Sequence, residues 1–193
     1  MARFIKARKE TIGMAPDDLR LKGERRADHV RLRCIAYNAD ELEEAELKSI
    51  QEAEKYNSSS YSRWINIDGL HDPGVLESVA SFLEAPKMVL SDVVEPNGRP
   101  AFKEFDDFLF LSGKILRYDE ITQIIHAEQI SFLFNAHTLF SFQERVGDVF
   151  EPVRERLRAG KKKMREGGPS YLAYALYDVL IDNYLYVLSV LGE

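Results

Sequence analysis

With a single cysteine, Cys34, the chain can form no internal disulfide and has no Cys-x-x-Cys pair for zinc or thiol redox chemistry. Histidine is also thin: His29, His71, His126 and His137 lie too far apart in sequence for a short-spaced zinc motif. There is no phosphate-cradling glycine-rich loop, no Gly-x-Ser-x-Gly elbow and no His-Glu-x-x-His pair. Catalysis is therefore the weakest expectation. Positive charge is in the minority, 26 Lys and Arg against 32 Asp and Glu for a formal net charge of −6. A general nucleic-acid binder needs clustered cations, so cations are the expected partners rather than polyanions. The opening MARFIKARKE is basic, but no apolar stretch of signal-peptide length follows it, and a reducing compartment is expected.

What is present is the material of a core. The 193 residues are 45% apolar, enough to bury most of their apolar surface as one domain spanning 1–193. Residues 19–23 (LRLKG) and 30–38 (VRLRCIAYN) alternate with the period of half-buried strands. Residues 39–55 are acidic and helical in propensity, with Asp40 as an N-cap and Glu43 three residues on. A strand at 64–67 closes on Asp68-Gly69, and a helix follows with Pro73 near its first turn. Trp64 opens a strand whose alternate positions are apolar, which predicts a core residue rather than a stacking platform. EPNGRP is a turn, and the Phe-, Ile- and Leu-rich segments from 101 to 144 predict an antiparallel meander split near Asp119 and Asn135. From Asp148 the pattern turns helical, with Asp148 and Glu151 spaced as a capping box, and GGP separates this helix from the last one. The expected fold is α/β in the α+β sense: a mixed, largely antiparallel sheet sandwiched between helices, ending in two long helices.

The terminal helix, 171–191, is long enough to span a bilayer, but Asp178 and Asp182 lie near its middle. Each central aspartate costs about 2.5–3.5 kcal/mol on insertion, while a Leu, Ile or Val returns only about 0.3–0.6. The helix is thus expected to be buried or to face an oligomer partner. Asp178 and Asp182 share one helical face, where like charges repel by a few tenths of a kcal/mol unless something positive relieves them. They either sit on a wet edge or serve a hard cation, which takes oxygen ligands and needs only one or two carboxylates. The cationic run Arg154, Arg156, Arg158, Lys161, Lys162, Lys163 and Arg165 reads as a solvated helix face and helix end, or else as a surface for an acidic partner or lipid headgroups.

Four ordered segments, from about Leu19 to the end, resemble the cytoplasmic amino-terminal region of the CorA-type magnesium transporters. RWINIDGLHDPGVLESVASFL resembles that family's Trp-Ile-Asn strand and the helix after it. VLSDVVEPNGRPAFKEFDDFLFL is similar to its Leu-Glu-Asp-Ile to Arg-Pro-Lys segment, and QERVGDVFEPVRERL and YLAYALYDVLIDNYL are closer still. The resemblance implies a homopentameric channel, embedded in the cell membrane, whose cytoplasmic domain senses magnesium, the regulatory and transported ion, with cobalt or nickel as further cargo. The family continues into a stalk helix, a pore helix ending in Gly-Met-Asn and a second membrane span. None of these is in this sequence, so the expectation is the soluble, cytoplasmic-face part of a longer transporter, joined to the membrane by segments outside it.

By the same resemblance, magnesium between subunits is held by the Asp of the Leu-Glu-Asp segment, the Glu before it, an Asp of the terminal helix and an acidic stalk residue. Here these positions map to Asp92 and Asp178 as metal ligands, while Ser91 stands where the family has Glu. The resemblance gives Asp182 no direct contact. Weak binding in the isolated domain is expected, because a partial site holds magnesium through its hydration shell. A zinc-transporting relative of the same architecture (ZntB-like) and a free-standing soluble binding module are the rival readings.

Overall fold

In the computed structural model, residues 15, 17–58 and 60–192 are described. The basic opening at 1–10 lies outside them. Alternation of side chains in the central strands decides the architecture. In β3 (Ser62–Asp68), Ile65 and Ile67 point to one core while Trp64 points to another, so the sheet needs a cover on each face. One cover consists of α1 (Pro73–Phe82) and two short 3-10 segments, Ile50–Tyr56 and Lys87–Leu90, over Cys34, Ala36, Leu133, Phe140 and Phe142. The other consists of α2 (Glu151–Arg158), α3 (Lys162–Glu166) and α4 (Gly168–Leu191), over Ile35, Trp64, Ile130, Phe132 and Leu139.

With β1 (Arg31–Tyr37), β2 (Leu42–Leu47), β4 (Phe102–Glu104), β5 (Leu109–Asp119), β6 (Ile124–Phe134) and β7 (Thr138–Gln143), the seven strands run in the order β2-β1-β3-β7-β6-β5-β4. Every pairing is antiparallel except β3 with β7. The mixed, largely antiparallel sheet, its helical covers and the β5-β6-β7 meander are as expected. Trp64 is 1% exposed, a core residue, and its Nε1 donates to Ser141 Oγ at 2.9 Å.

Four local expectations fail. Residues 19–23 form no strand: Leu19 is buried in the core of the α1 face, and Lys22 N donates to Val94 O at 2.8 Å. The alternation there records plugging into the core, not a ladder. Residues 39–55 are not a helix but β2 followed by the 3-10 segment. Asn38 makes the turn, its Oδ1 accepting from the N–H groups of Asp40 and Glu41, so Asp40 is no N-cap. The acidic residues of β2 then find arginines: Arg31 Nε reaches Glu46 Oε1 at 2.9 Å and Arg158 Nε reaches Glu44 Oε1 at 2.5 Å. These pairs and the β1 ladder override helical propensity, which is a weak prior.

The capping box also fails. Asp148 Oδ1 accepts from Phe150 N, but Asp148 chiefly holds Arg154, whose Nη2 lies 2.5 Å from Oδ2, and Glu151 pairs with Arg154 and Arg158 instead of reaching back. Finally, the two long helices are one. The segment from 148 breaks at Gly160 (φ 65), giving an 8-residue α2 and a 5-residue α3 before the 24-residue α4. The cationic run is correspondingly not one solvated face. Arg154 stacks over Trp64 with its guanidinium carbon 4.7 Å from the ring centroid, and Arg165 donates to the carbonyls of Leu157, Asn38 and Glu41.

Helix α4 packs its first half on the sheet through Leu172, Ala173, Leu176 and Leu180, then presents exposed Leu185, Leu188 and Leu191. No helix among the described residues is long and apolar enough to cross a membrane. The helix also closes the sheet edge. Strand β4 pairs only with 109–111 of β5, and beyond it Tyr184 Oη accepts from Lys114 N at 3.0 Å and donates to Lys114 O at 2.5 Å, while Asn183 Oδ1 accepts from Leu116 N. Tyr184→Phe should therefore destabilise the chain by about 1–3 kcal/mol in urea unfolding, the cost of stranding partly buried backbone groups. An unchanged midpoint would contradict this role.

Burial pushes the Glu128 carboxyl above the usual range; its Oε1 accepts from Arg145 N, its Oε2 has no hydrogen-bond partner, and Arg117 is 3.9 Å away. A raised native value means the folded state holds more protons than the unfolded chain, so this group weakens the fold as pH rises above the unfolded value. Glu128→Gln keeps an acceptor for Arg145 N and loses the charge. Its urea midpoint should fall less than that of the wild type between about pH 4 and pH 8; parallel profiles would contradict it.

Candidate metal centre

Asp92 lies in the turns after the Lys87–Leu90 segment, flanked by buried Leu90, Val93 and Val94, which anchor the turn in the α1-side core. These apolar neighbours turn Asp92 outward, leaving its side chain 34% exposed and ion-paired to Lys103 on the edge strand β4. Ser91, at half-buried depth beside it, offers a hydroxyl where a second carboxylate would strengthen the local field. Glu95, one turn on, pairs with Lys22 at 3.5 Å.

The turn is tied to the sheet by residues that sequence reasoning missed. Lys114 and Gln129 are cross-strand partners in β5 and β6. Gln129 Nε2 donates to Asp92 O at 2.9 Å, and Lys114 Nζ donates to Pro96 O at 2.7 Å, so one pair fastens both ends of the segment. Burial lowers the Lys114 pKa and raises that of Glu144, whose Oε1 accepts from Gln129 N at 3.1 Å and whose other oxygen is 3.3 Å from Arg26. The signal in the sequence is a lysine inside LFLSGKIL and a glutamine heading QISFLF. A polar residue inside an apolar strand is retained where a partner satisfies it.

Asp178 and Asp182 are both exposed on α4, with no hydrogen bond or ion pair among the described residues. The wet-edge reading of the helix holds for both. Asp92 and Asp178 are not brought together: the turn of Asp92 packs in the α1 layer and α4 in the opposite layer, with the sheet between. No group of three or more His, Cys, Asp or Glu among the described residues could hold a metal ion. The donors fit a hard divalent ion in type, being carboxylate oxygens, but one chain does not close a site. Both carboxylates remain reachable from solvent.

The family model described as CorA-like Mg2+ transporter protein matches residues 59–193. The cobalt/magnesium transport protein CorA of Thermotoga maritima is 31% identical over 181 residues, covering 94% of this chain and 51% of that protein. Among solved structures, full-length CmaX superposes with a TM-score of 0.66 at 17% identity, over 89% of this chain and 50% of that one. The complete CorA magnesium transporter of Methanocaldococcus jannaschii gives 0.57 at 18% identity, over 82% and 47%. The chain thus spans about half the length of the curated relative it matches, and at these identities the structural likenesses show the fold alone.

The tether predicts a local effect. Gln129→Leu removes the donor to Asp92 O and should speed amide hydrogen exchange across 92–98 by about tenfold or more, with the α4 amides unchanged. Equal acceleration everywhere, or none at 92–98, would remove Gln129 from this role.

Proposed function

Because the chain belongs to the CorA-like Mg2+ transporter family, we propose that it is the magnesium-responsive, gating part of a divalent-cation transporter, working as one copy in a ring of identical subunits. Transport rather than catalysis is the activity, on the cytoplasmic side of a membrane that other segments of the protein would cross. Magnesium is both regulator and cargo, and cobalt, named with magnesium for the Thermotoga relative, is a second cargo.

The observation that carries this reading is the separation of Asp92 and Asp178 into opposite layers, both reachable from solvent and neither closing a site among the described residues of its own chain. Such carboxylates suit a site shared between copies, Asp92 from one and Asp178 from the next. A bound magnesium would supply positive charge between them. Without it the carboxylates repel across the interface, so an ion that binds only the closed arrangement stabilises that arrangement by its differential affinity. Lys103 has a part in this balance. It satisfies Asp92 when no ion does, and a cation must displace it. Ser91 adds no charge, which keeps the site weak.

Sedimentation of the chain through a magnesium titration tests this. Millimolar magnesium should raise the weight-average mass, Asp92→Asn and Asp178→Asn should each abolish the rise, and Asp182→Asn should leave it intact. Lys103→Ala should shift the response to lower magnesium by a few-fold, the scale of an exposed ion pair. Unaltered responses in Asp92→Asn and Asp178→Asn would place the site elsewhere.

A further inference from the structure

Arg63, in β3, is paired to Thr138 of β7 in the sheet register and faces the α1 layer. It is 6% exposed, its Nε and Nη1 are buried without a hydrogen-bond partner, and no ion pair reaches it among the described residues. Its visible compensation is the ring of Phe82, 5.2 Å from the guanidinium carbon. Burial lowers its pKa, and Cys34 and Glu54 act on it only at longer range. A guanidinium does not give up its proton in a protein, so the three N–H donors on Nε and Nη1 are held at low dielectric without acceptors.

Arg63 lines a cavity of about 450 Å3 between the 135–138 turn, the end of α1 and Asn57. Thr138 Oγ1, on its wall, is also buried without a partner. The side-chain oxygen of Asn135 is used, accepting from the N–H groups of His137 and Thr138, which leaves its amide hydrogens for a ligand. The wall thus offers a guanidinium fork, a hydroxyl and an amide, and the group that satisfies them is an acceptor-only oxyanion. The rim limits its charge. Glu54 and Glu84 line the same cavity, and the C-terminal end of α1 adds its negative dipole end at 81–83. A multiply charged phosphate would meet that field unfavourably, whereas a single negative charge is matched by the single buried arginine.

We propose that this cavity binds a small monocarboxylate, gripped by Arg63 and Thr138. It is separate from the Asp92 turn and Asp178, so it is a second ligand site on the chain, independent of the metal reading. A substrate or effector carrying one carboxylate is the class it would take.

The test compares sodium acetate with sodium chloride on this chain at matched pH and at an ionic strength near 0.15 M, where the Debye length is about 8 Å. Acetate should raise Tm saturably, by about 3–5 °C at tenfold excess over its Kd, and should shift the amide resonances of Thr138, Leu83 and Glu84. Arg63→Gln should weaken acetate at least tenfold while leaving Tm in chloride unchanged or higher, because it removes an unpaired buried charge. Thr138→Val should weaken acetate at least threefold, and it decides the matter should Arg63→Gln fail to fold. The proposal is overturned by an unsaturable response, by shifts elsewhere, by equal acetate binding in wild type and Thr138→Val, or by phosphate shifting these amides where acetate does not.

Discussion

The parallel ladder between β3 and β7, running from Arg63 opposite Thr138 to Asp68 opposite Gln143, joins two otherwise separate antiparallel units. On one side are β1, β2 and β3; on the other are β4 to β7. Polar bonds pin the join from within and at both ends. Trp64 Nε1 donates to Ser141 Oγ, which donates to Asn66 Oδ1 at 2.7 Å, while Arg63 N donates to His137 O and Gly69 N to Gln143 O. A parallel pair needs a long crossover, and here that crossover is the whole stretch from α1 through the meander. The carboxylate turn at 91–95 lies within it, so the turn's position is set by the same pairing.

Each face of this join carries a buried arginine, and the two differ in their partners. On the α2 face, burial alone would raise the Asp148 carboxyl, but the hydrogen bonds and charge of Arg154, with Phe150 N and Arg33, hold it below the usual range. Arg154 is fully compensated, by Asp148 and by the Trp64 ring. Such a pair adds little net stability, but breaking it would cost about 3–5 kcal/mol, so it fixes where α2 sits. On the α1 face, the Arg63 guanidinium meets an aromatic ring and, among the described residues, no hydrogen-bond or ion-pair partner. The first arrangement is structural; the second leaves buried donors without a partner. The surface carboxylates differ again: Asp92 is partly solvated and paired to Lys103, and Asp178 is exposed.

Much of this was legible in the sequence, and what was legible had a local cause. Trp64, the meander and the turn at 95–100 are written in side-chain alternation and in Pro and Gly. The composition of 39–55 favours helix, and nothing local reveals that Glu44 and Glu46 meet Arg158 and Arg31 from distant segments. Asp148 looks like a cap for the same reason: its real partner, Arg154, looks from sequence like one more cation on a solvated face. For the site, the resemblance supplied Asp92 and Asp178, and their spacing could not, since they belong to different layers. Lys114, Gln129 and Arg63 stood in apolar strands as unexplained polar letters. Their roles depend on which turn or cavity the sheet brings to them, and that is long-range information.

We propose that Asp92 of one copy and Asp178 of another share an ion. Mixing the Asp92→Asn chain with the Asp178→Asn chain distinguishes this from separate sites, because each mixed pair contains one intact half from either partner. Shared coordination predicts that neither variant alone associates with millimolar magnesium and that the equimolar mixture regains part of the wild-type response. A mixture as inert as its components would contradict shared coordination by these two residues.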